Sequence, residues 1–306
     1  MAPTERSSGD SPASKVASFV KIVPDRAGVP ILLAAPHGGR DYPVDLIAAM
    51  RDPEEACRRL EDRHADTLAL LVARETSAPL IYATTPRAMI DLNRSAEDVD
   101  WTMIAGSRTK TTRHSITNRR SRSGLGLVPR RLAGMGEIWK HDISMAELER
   151  RIETVHRPYH RALADELAAL RDKWGAALLL DIHSMPPLPR QARGRAAEFV
   201  VGDRFGASCD ALLSSRALAF FGRQERPVAH NRPYSGGFVL DAHGAPRRNI
   251  HALQLEVCRS CYLDANLVEP SARLPAVARL IAGLVRELSE AIMEIGDRSG
   301  LPIAAE

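Results

Sequence analysis

Two histidines, a glutamate and an Asn-Arg pair follow or close stretches whose composition suits buried β-strands. His37 follows Val29–Ala35 (VPILLAA) in a Pro36-His37-Gly38-Gly39 turn. His183 follows Ala176–Ile182 (AALLLDI), and Glu256 closes Leu253-Gln254-Leu255. Asn93 and Arg94 follow an expected short strand, Ala88–Leu92. Open α/β sheets bind ligands beyond the carboxyl ends of their strands. If these strands are parallel, two imidazoles, a guanidinium and a carboxylate meet at one edge. Either histidine alone reads as a hydrogen-bonded turn or core residue. Two of them at two strand ends point to a metal. Two His and one carboxylate are a catalytic zinc set that leaves one position for water. Asp181, two residues before His183, suits a carboxylate that orients a metal-bound imidazole.

Residue types alone leave the third ligand open. Glu61, Asp62 and Asp66 all lie in Pro53–Glu75, which reads as one long helix with proline in its first turn. At a spacing of four, Asp62 and Asp66 share a helical face, which by itself reads as a solvated acidic face. Glu256 is more informative. Strand alternation puts Gln254 and Glu256 on one side and Leu253, Leu255 and Val257 on the other. A carboxylate ending so apolar a strand either pairs with an arginine such as Arg259 or takes a proton from a metal-activated water.

The elements that must position these groups alternate. Pro79–Ala83, Glu198–Val201, Gly237–Leu240 and Ile250–Val257 read as further strands. Ser144–Lys173, Ala207–Phe221 and Pro275–Ile295 read as helices, the first capped at Ser144 with Glu147 at capping-box spacing and bent at Pro158. The pattern predicts an α/β fold: a single domain over residues 17–306, with a mostly parallel or mixed sheet covered by helices on both faces. Residues 1–16 read as a disordered extension without a signal-peptide core. The chain has 306 residues, 44% of them apolar and 5% aromatic, and no apolar run long enough for a membrane helix. Four cysteines are too few for a disulfide scaffold, which suggests a cytoplasmic protein with reduced thiols. Cys258-Arg259-Ser260-Cys261 is a lone CxxC and carries no metal or redox reading by itself. His156 and His160, four apart, make His160 a weak pocket candidate. A net charge of +4 suits small anionic substrates or nucleic acid. The basic stretch Arg108–Arg131 holds eight Lys or Arg but no aromatic side chain for base stacking. It reads as a loop beside an anionic substrate's entrance.

An ordered set of motifs completes the reading. Pro36-His37-Gly38-Gly39-Arg40-Asp41-Tyr42-Pro43, Glu61-Asp62, Asp91-Leu92-Asn93-Arg94, Gly124–Arg130, Arg157-Pro158-Tyr159-His160, Asp181-Ile182-His183-Ser184, Pro233-Tyr234-Ser235-Gly236-Gly237 and Gln254-Leu255-Glu256-Val257 follow one another over residues 30–265. Their order and spacing resemble the N-formylglutamate amidohydrolase family, which is similar in fold and mechanism to zinc carboxypeptidases and aspartoacylases. The resemblance implies one zinc ion held by His37, Asp62 and His183, with Glu256 as general base. It implies that Arg87 polarises the scissile carbonyl and that Asn93 and Arg94 grip a substrate carboxylate. Tyr234, Gly236 and Gly237 would line the substrate site. The implied reaction releases formate and L-glutamate from N-formyl-L-glutamate, and histidine breakdown is implied only in this way. The alternatives are another N-acyl amino acid, a peptide with a free C-terminus or, in a different class, a basic nucleic-acid-binding protein. Departures from the family pattern fall at Ala88-Met89 and at Trp139.

Overall fold

Apolar runs place three strands side by side at the centre of the molecule. In this computed structural model, residues 17–25, 28–106, 123–189 and 195–298 are described. The expected N-terminal extension and most of the basic stretch lie outside them. Strands β1 (Phe19–Ile22), β2 (Ile31–Ala35), β3 (Leu80–Ala83), β8 (Ala177–Met185), β9 (Phe199–Gly202), β10 (Val228–His230) and β11 (Ile250–Cys258) form one sheet, ordered β1-β3-β2-β8-β11-β9-β10. The neighbours β3, β2, β8 and β11 run parallel, while β1 and the β9–β10 pair run antiparallel to them. The sheet is therefore mixed, with β2, β8 and β11 buried along their whole length. The short pairs β4 (Ile104–Ala105) with β7 (Ile143–Ser144), and β5 (Arg131–Leu132) with β6 (Gly136–Glu137), lie outside it.

Each face has its own core. Ile31, Leu33, Leu178, Leu180, Leu253 and Leu255 pack against helices built from Ala65–Thr76, Ala211–Arg223 and Leu274–Arg298. On the other face Leu32, Leu179 and Ala252 pack with Leu163, Leu167 and Leu170 of the helix Arg157–Trp174. Side chains alternate along a strand, so this second face reads Ala177, Leu179, Asp181, His183 along β8 and Ile250, Ala252, Gln254, Glu256 along β11. Both strands turn from apolar to polar at the same level, since Asp181 pairs with Gln254 and His183 with Glu256.

The structure revises four expected elements. After a short α1 (Val44–Ala49), Pro53–Glu75 is two helices, α2 (Pro53–Leu60) and α3 (Ala65–Thr76). Glu61 is extended, His64 takes a left-handed conformation, and the Asp62 N–H donates to the His37 carbonyl at 3.0 Å. Asp62 and Asp66 therefore share no helix face. Ala88–Leu92 is a turn, closed by Met89 N–H to Pro86 O and Arg94 N–H to Asp91 O, so Asn93 and Arg94 sit on a loop. Gly237–Leu240 is the start of a helix, Phe238–His243. Ser144 does accept the Glu147 N–H, at 3.1 Å, but the helix widens into a π-type turn over Ile152–His156 just ahead of Pro158. Proline supplies no N–H and its ring clashes with the preceding turn. β1 and β10, too short to show a periodicity, were not expected.

Candidate active site

His37, Asp62 and His183 reach one point from three separate elements. Asp62 Oδ2 lies 2.9 Å from His183 Nδ1 and 3.5 Å from His37 Nδ1. One ligand atom from each residue can be chosen so that all three lie within 4.8 Å of one another, and all three residues are buried. The far ring nitrogens are taken by two further carboxylates. His37 Nε2 is 2.7 Å from Asp91 Oδ1, and His183 Nε2 is 2.8 Å from Asp181 Oδ2. A carboxylate behind each imidazole fixes the ring and leaves Nδ1 as the donor toward a metal. His37 Nδ1 is buried and has no hydrogen-bond partner, a costly state for a polar atom that a cation between the three residues would relieve. The donor set is one zinc favours.

Burial opposes charge on Asp62, but the neighbouring imidazoles of His183 and His37 outweigh it and hold the carboxyl well below its usual range. Burial also opposes a proton on His183, yet Asp181 and Asp62 raise its affinity well above that of an ordinary histidine. An incoming cation would displace that proton.

Asp91 is the hub of the loop beside this cluster. Besides His37 it accepts the Asn93 N–H at 2.9 Å and Arg87 Nε and Nη2, both at 2.9 Å. Burial opposes its charge, but Arg87, Arg94 and His37 hold its carboxyl well below the usual range. This buried carboxylate explains the turn: it needs donors from its own backbone, which a strand would have given to a neighbour. Arg94 donates to the carbonyls of Leu125 (2.9 Å) and Asn93 (2.7 Å). The Asn93 Oδ1 accepts the Val239 N–H at 2.9 Å, capping from a distance a helix whose own cap residue, Gly237, has no side chain. A Cβ on Gly237 would fall 2.5 Å from that oxygen. Gly236 has φ +100°, the left-handed region glycine tolerates.

Glu256 does not pair with Arg259. It accepts Gln254 Nε2 at 2.8 Å, while Arg259 donates to Ser184 Oγ (3.0 Å) and to the Glu61 carbonyl. Burial, with Asp62 and Asp181 adding and His183 and Arg87 opposing, pushes the Glu256 carboxyl up to about 7. That suits a group which takes and returns a proton near neutral pH.

These residues open onto one cavity of about 230 Å³. The ten residues to which the resemblance gives a catalytic, substrate or metal role all line it: His37, Asp62, Arg87, Asn93, Arg94, His183, Tyr234, Gly236, Gly237 and Glu256. Glu61 does not; it binds Tyr42 and Arg63. Asp66 turns to Arg40 instead. His160 is not among the lining residues: its Nδ1 is 3.0 Å from His243 Nε2, and it stacks with His243 behind the Asn93 loop. His156 meets the Arg94 carbonyl at 2.8 Å. Trp139 lies in the core and donates to Pro129 O. The four cysteines are free. Arg59, Gln254 and Arg259 also line the cavity and had no site role in the sequence reading. Gln254 shares the strand face of Glu256 and was legible in that sense; nothing local marked Arg59, on α2, as facing the cavity.

A sheet edge that gathers a His-Asp-His cluster, a raised carboxyl and several arginines defines an α/β protein with an arginine-lined pocket and a candidate metal centre. The N-formylglutamate amidohydrolase family model matches residues 29–263, and the chain belongs to that family. It is 31% identical over 277 residues to an N-formylglutamate deformylase of Pseudomonas aeruginosa, covering 89% of this chain and 95% of that protein. A Pseudomonas putida N-formylglutamate deformylase is also 31% identical, over 88% of this chain and 94% of its own. The crystal structure of an N-formylglutamate amidohydrolase from Ralstonia eutropha superposes with a TM-score of 0.81 at 28% identity, covering 91% of this chain and 99% of that one.

Proposed function

We propose that this chain hydrolyses N-formyl-L-glutamate to formate and L-glutamate, using one divalent metal ion, zinc by its donor set. The observation that carries this is the convergence of three ligand atoms, one of them an orphaned buried nitrogen, beside a carboxyl raised to about 7. The names of the relatives supply the substrate class. His37, Asp62 and His183 would hold the ion, which when bound supplies Lewis acidity and brings water to nucleophilic strength near neutral pH.

The remaining chemistry belongs to the chain. Glu256 takes the proton of the attacking water. It later passes that proton to the departing amine as the formyl C–N bond breaks. Arg87, held rigid by Asp91, faces the oxygen on which negative charge develops. Arg94 orients the substrate carboxylate, and Asn93 fixes the loop and the neighbouring helix terminus around it. Tyr234, Gly236 and Gly237 form the opposite wall, where glycine lets the backbone approach the substrate. A cavity of about 230 Å³ is smaller than the ~300–1,000 Å³ of drug-sized sites, which favours a small acylated amino acid over a peptide. Four free thiols fit a reducing, cytoplasmic setting. Among the described residues no helix is long and apolar enough to cross a membrane.

Formate release from N-formyl-L-glutamate tests this reading. Activity should fall on chelation and return with zinc. Glu256→Gln should keep its metal and lose roughly 10²–10⁴-fold in kcat. A zinc-loaded protein that releases no formate would overturn the substrate.

A further inference from the structure

Four guanidiniums line the cavity, and three are committed inside it. Arg87 is bound to Asp91, Arg94 to two backbone carbonyls, and Arg259 to Ser184 and the Glu61 carbonyl. Arg59 differs. It lies in the last turn of α2, three residues before Asp62, and its side chain is 35% exposed. Nη2 donates to the Ala133 carbonyl at 2.7 Å, and Nη1 has only a loose contact with Glu55, at 3.8 Å. Ala133 joins β5 to β6 in the segment that also supplies Leu125, whose carbonyl holds Arg94. Arg59 and Arg94 are thus braced on one loop, Arg59 the more exposed and Arg94, at 12%, the more buried.

The geometry points to Arg59 as the residue that reads the second carboxylate of the substrate. It selects an N-acylated dicarboxylic amino acid over its neutral amide, while Arg94 holds the carboxylate common to both. This rests on the deformylase reading above. A guanidinium–carboxylate pair matches in charge and geometry, and its loss would weaken binding about ten- to hundredfold.

The test compares wild type, Arg59→Gln and Arg59→Lys on N-formyl-L-glutamate and N-formyl-L-glutamine. Binding of L-glutamate and L-glutamine is followed by calorimetry, with zinc content and melting temperature as checks. Arg58→Gln, on the same helix but outside the cavity, is the control. Arg59→Gln should raise KM for N-formyl-L-glutamate and weaken L-glutamate binding about ten- to hundredfold. The kcat should hold within about threefold, and the glutamine compounds should be unaffected; Arg59→Lys should recover part of the loss. Equal losses on both substrates, or no loss on either, would overturn the assignment and leave the deformylase reading standing. A wild type inert toward N-formyl-L-glutamate whose L-glutamate binding still depends on Arg59 would sink the reaction and keep Arg59. Absence of L-glutamate binding in the wild type would overturn the assignment.

Discussion

Glu256 sits between groups that pull its proton in opposite directions, and this makes it measurable in the metal-free protein. Its ordinary value is 4.5 and its folded value is pushed to about 7. Between those values the folded state holds a proton that the unfolded chain has lost. Stability from this group is therefore present at low pH and falls as pH rises to about 7. Glu256→Gln removes the dependence. The metal-free variant should gain stability over metal-free wild type by a margin that grows from pH 5 to pH 8 in urea titrations. A constant margin would mean that the carboxyl is not raised. At this scale much was legible in the sequence: strand alternation alone put Glu256 and Gln254 on one face. Asp91 was visible only as part of a motif. Its role comes from His37 and Arg87, which the fold brings together, and no local spacing encodes that meeting.

Elements were legible where one strand or helix buries a continuous stretch, as in β2, β8, β11 and Leu274–Arg298. They were misread where a long-range hydrogen bond overrides local preference. The break between α2 and α3 depends on the His37 carbonyl accepting from Asp62. The helix Phe238–His243 depends on a cap from Asn93 to Val239, 146 positions later. Local sequence cannot show a partner so distant. The close approach of Gly237 to Asn93 gives a direct check. A Cβ there lies 2.5–2.7 Å from three atoms of the Asn93 amide, so Gly237→Ala must displace the loop or the helix. Overpacking of this kind costs about 1–3 kcal/mol. Denaturant unfolding should show that loss together with a raised KM, and an unchanged KM would mean that the loop is not part of the substrate wall.

Across the whole molecule, one parallel group of strands sends its carboxyl ends to one edge, where several connecting segments line the cavity. That edge was legible from composition, since apolar runs ending in His or Glu mark where buried strands surface. The cavity's shape was not, because it depends on Arg59, Leu125 and Arg259 meeting from segments far apart in the sequence. His37, Asp62 and His183 are proposed to hold one catalytically required ion. The most direct measurement titrates metal-free protein with zinc while formate release from N-formyl-L-glutamate and the melting temperature are followed together. Both should rise in parallel and saturate at one ion per chain, and His183→Ala should abolish both responses. Full activity in protein shown to be metal-free, or activity rising with zinc undiminished in His183→Ala, would contradict the account.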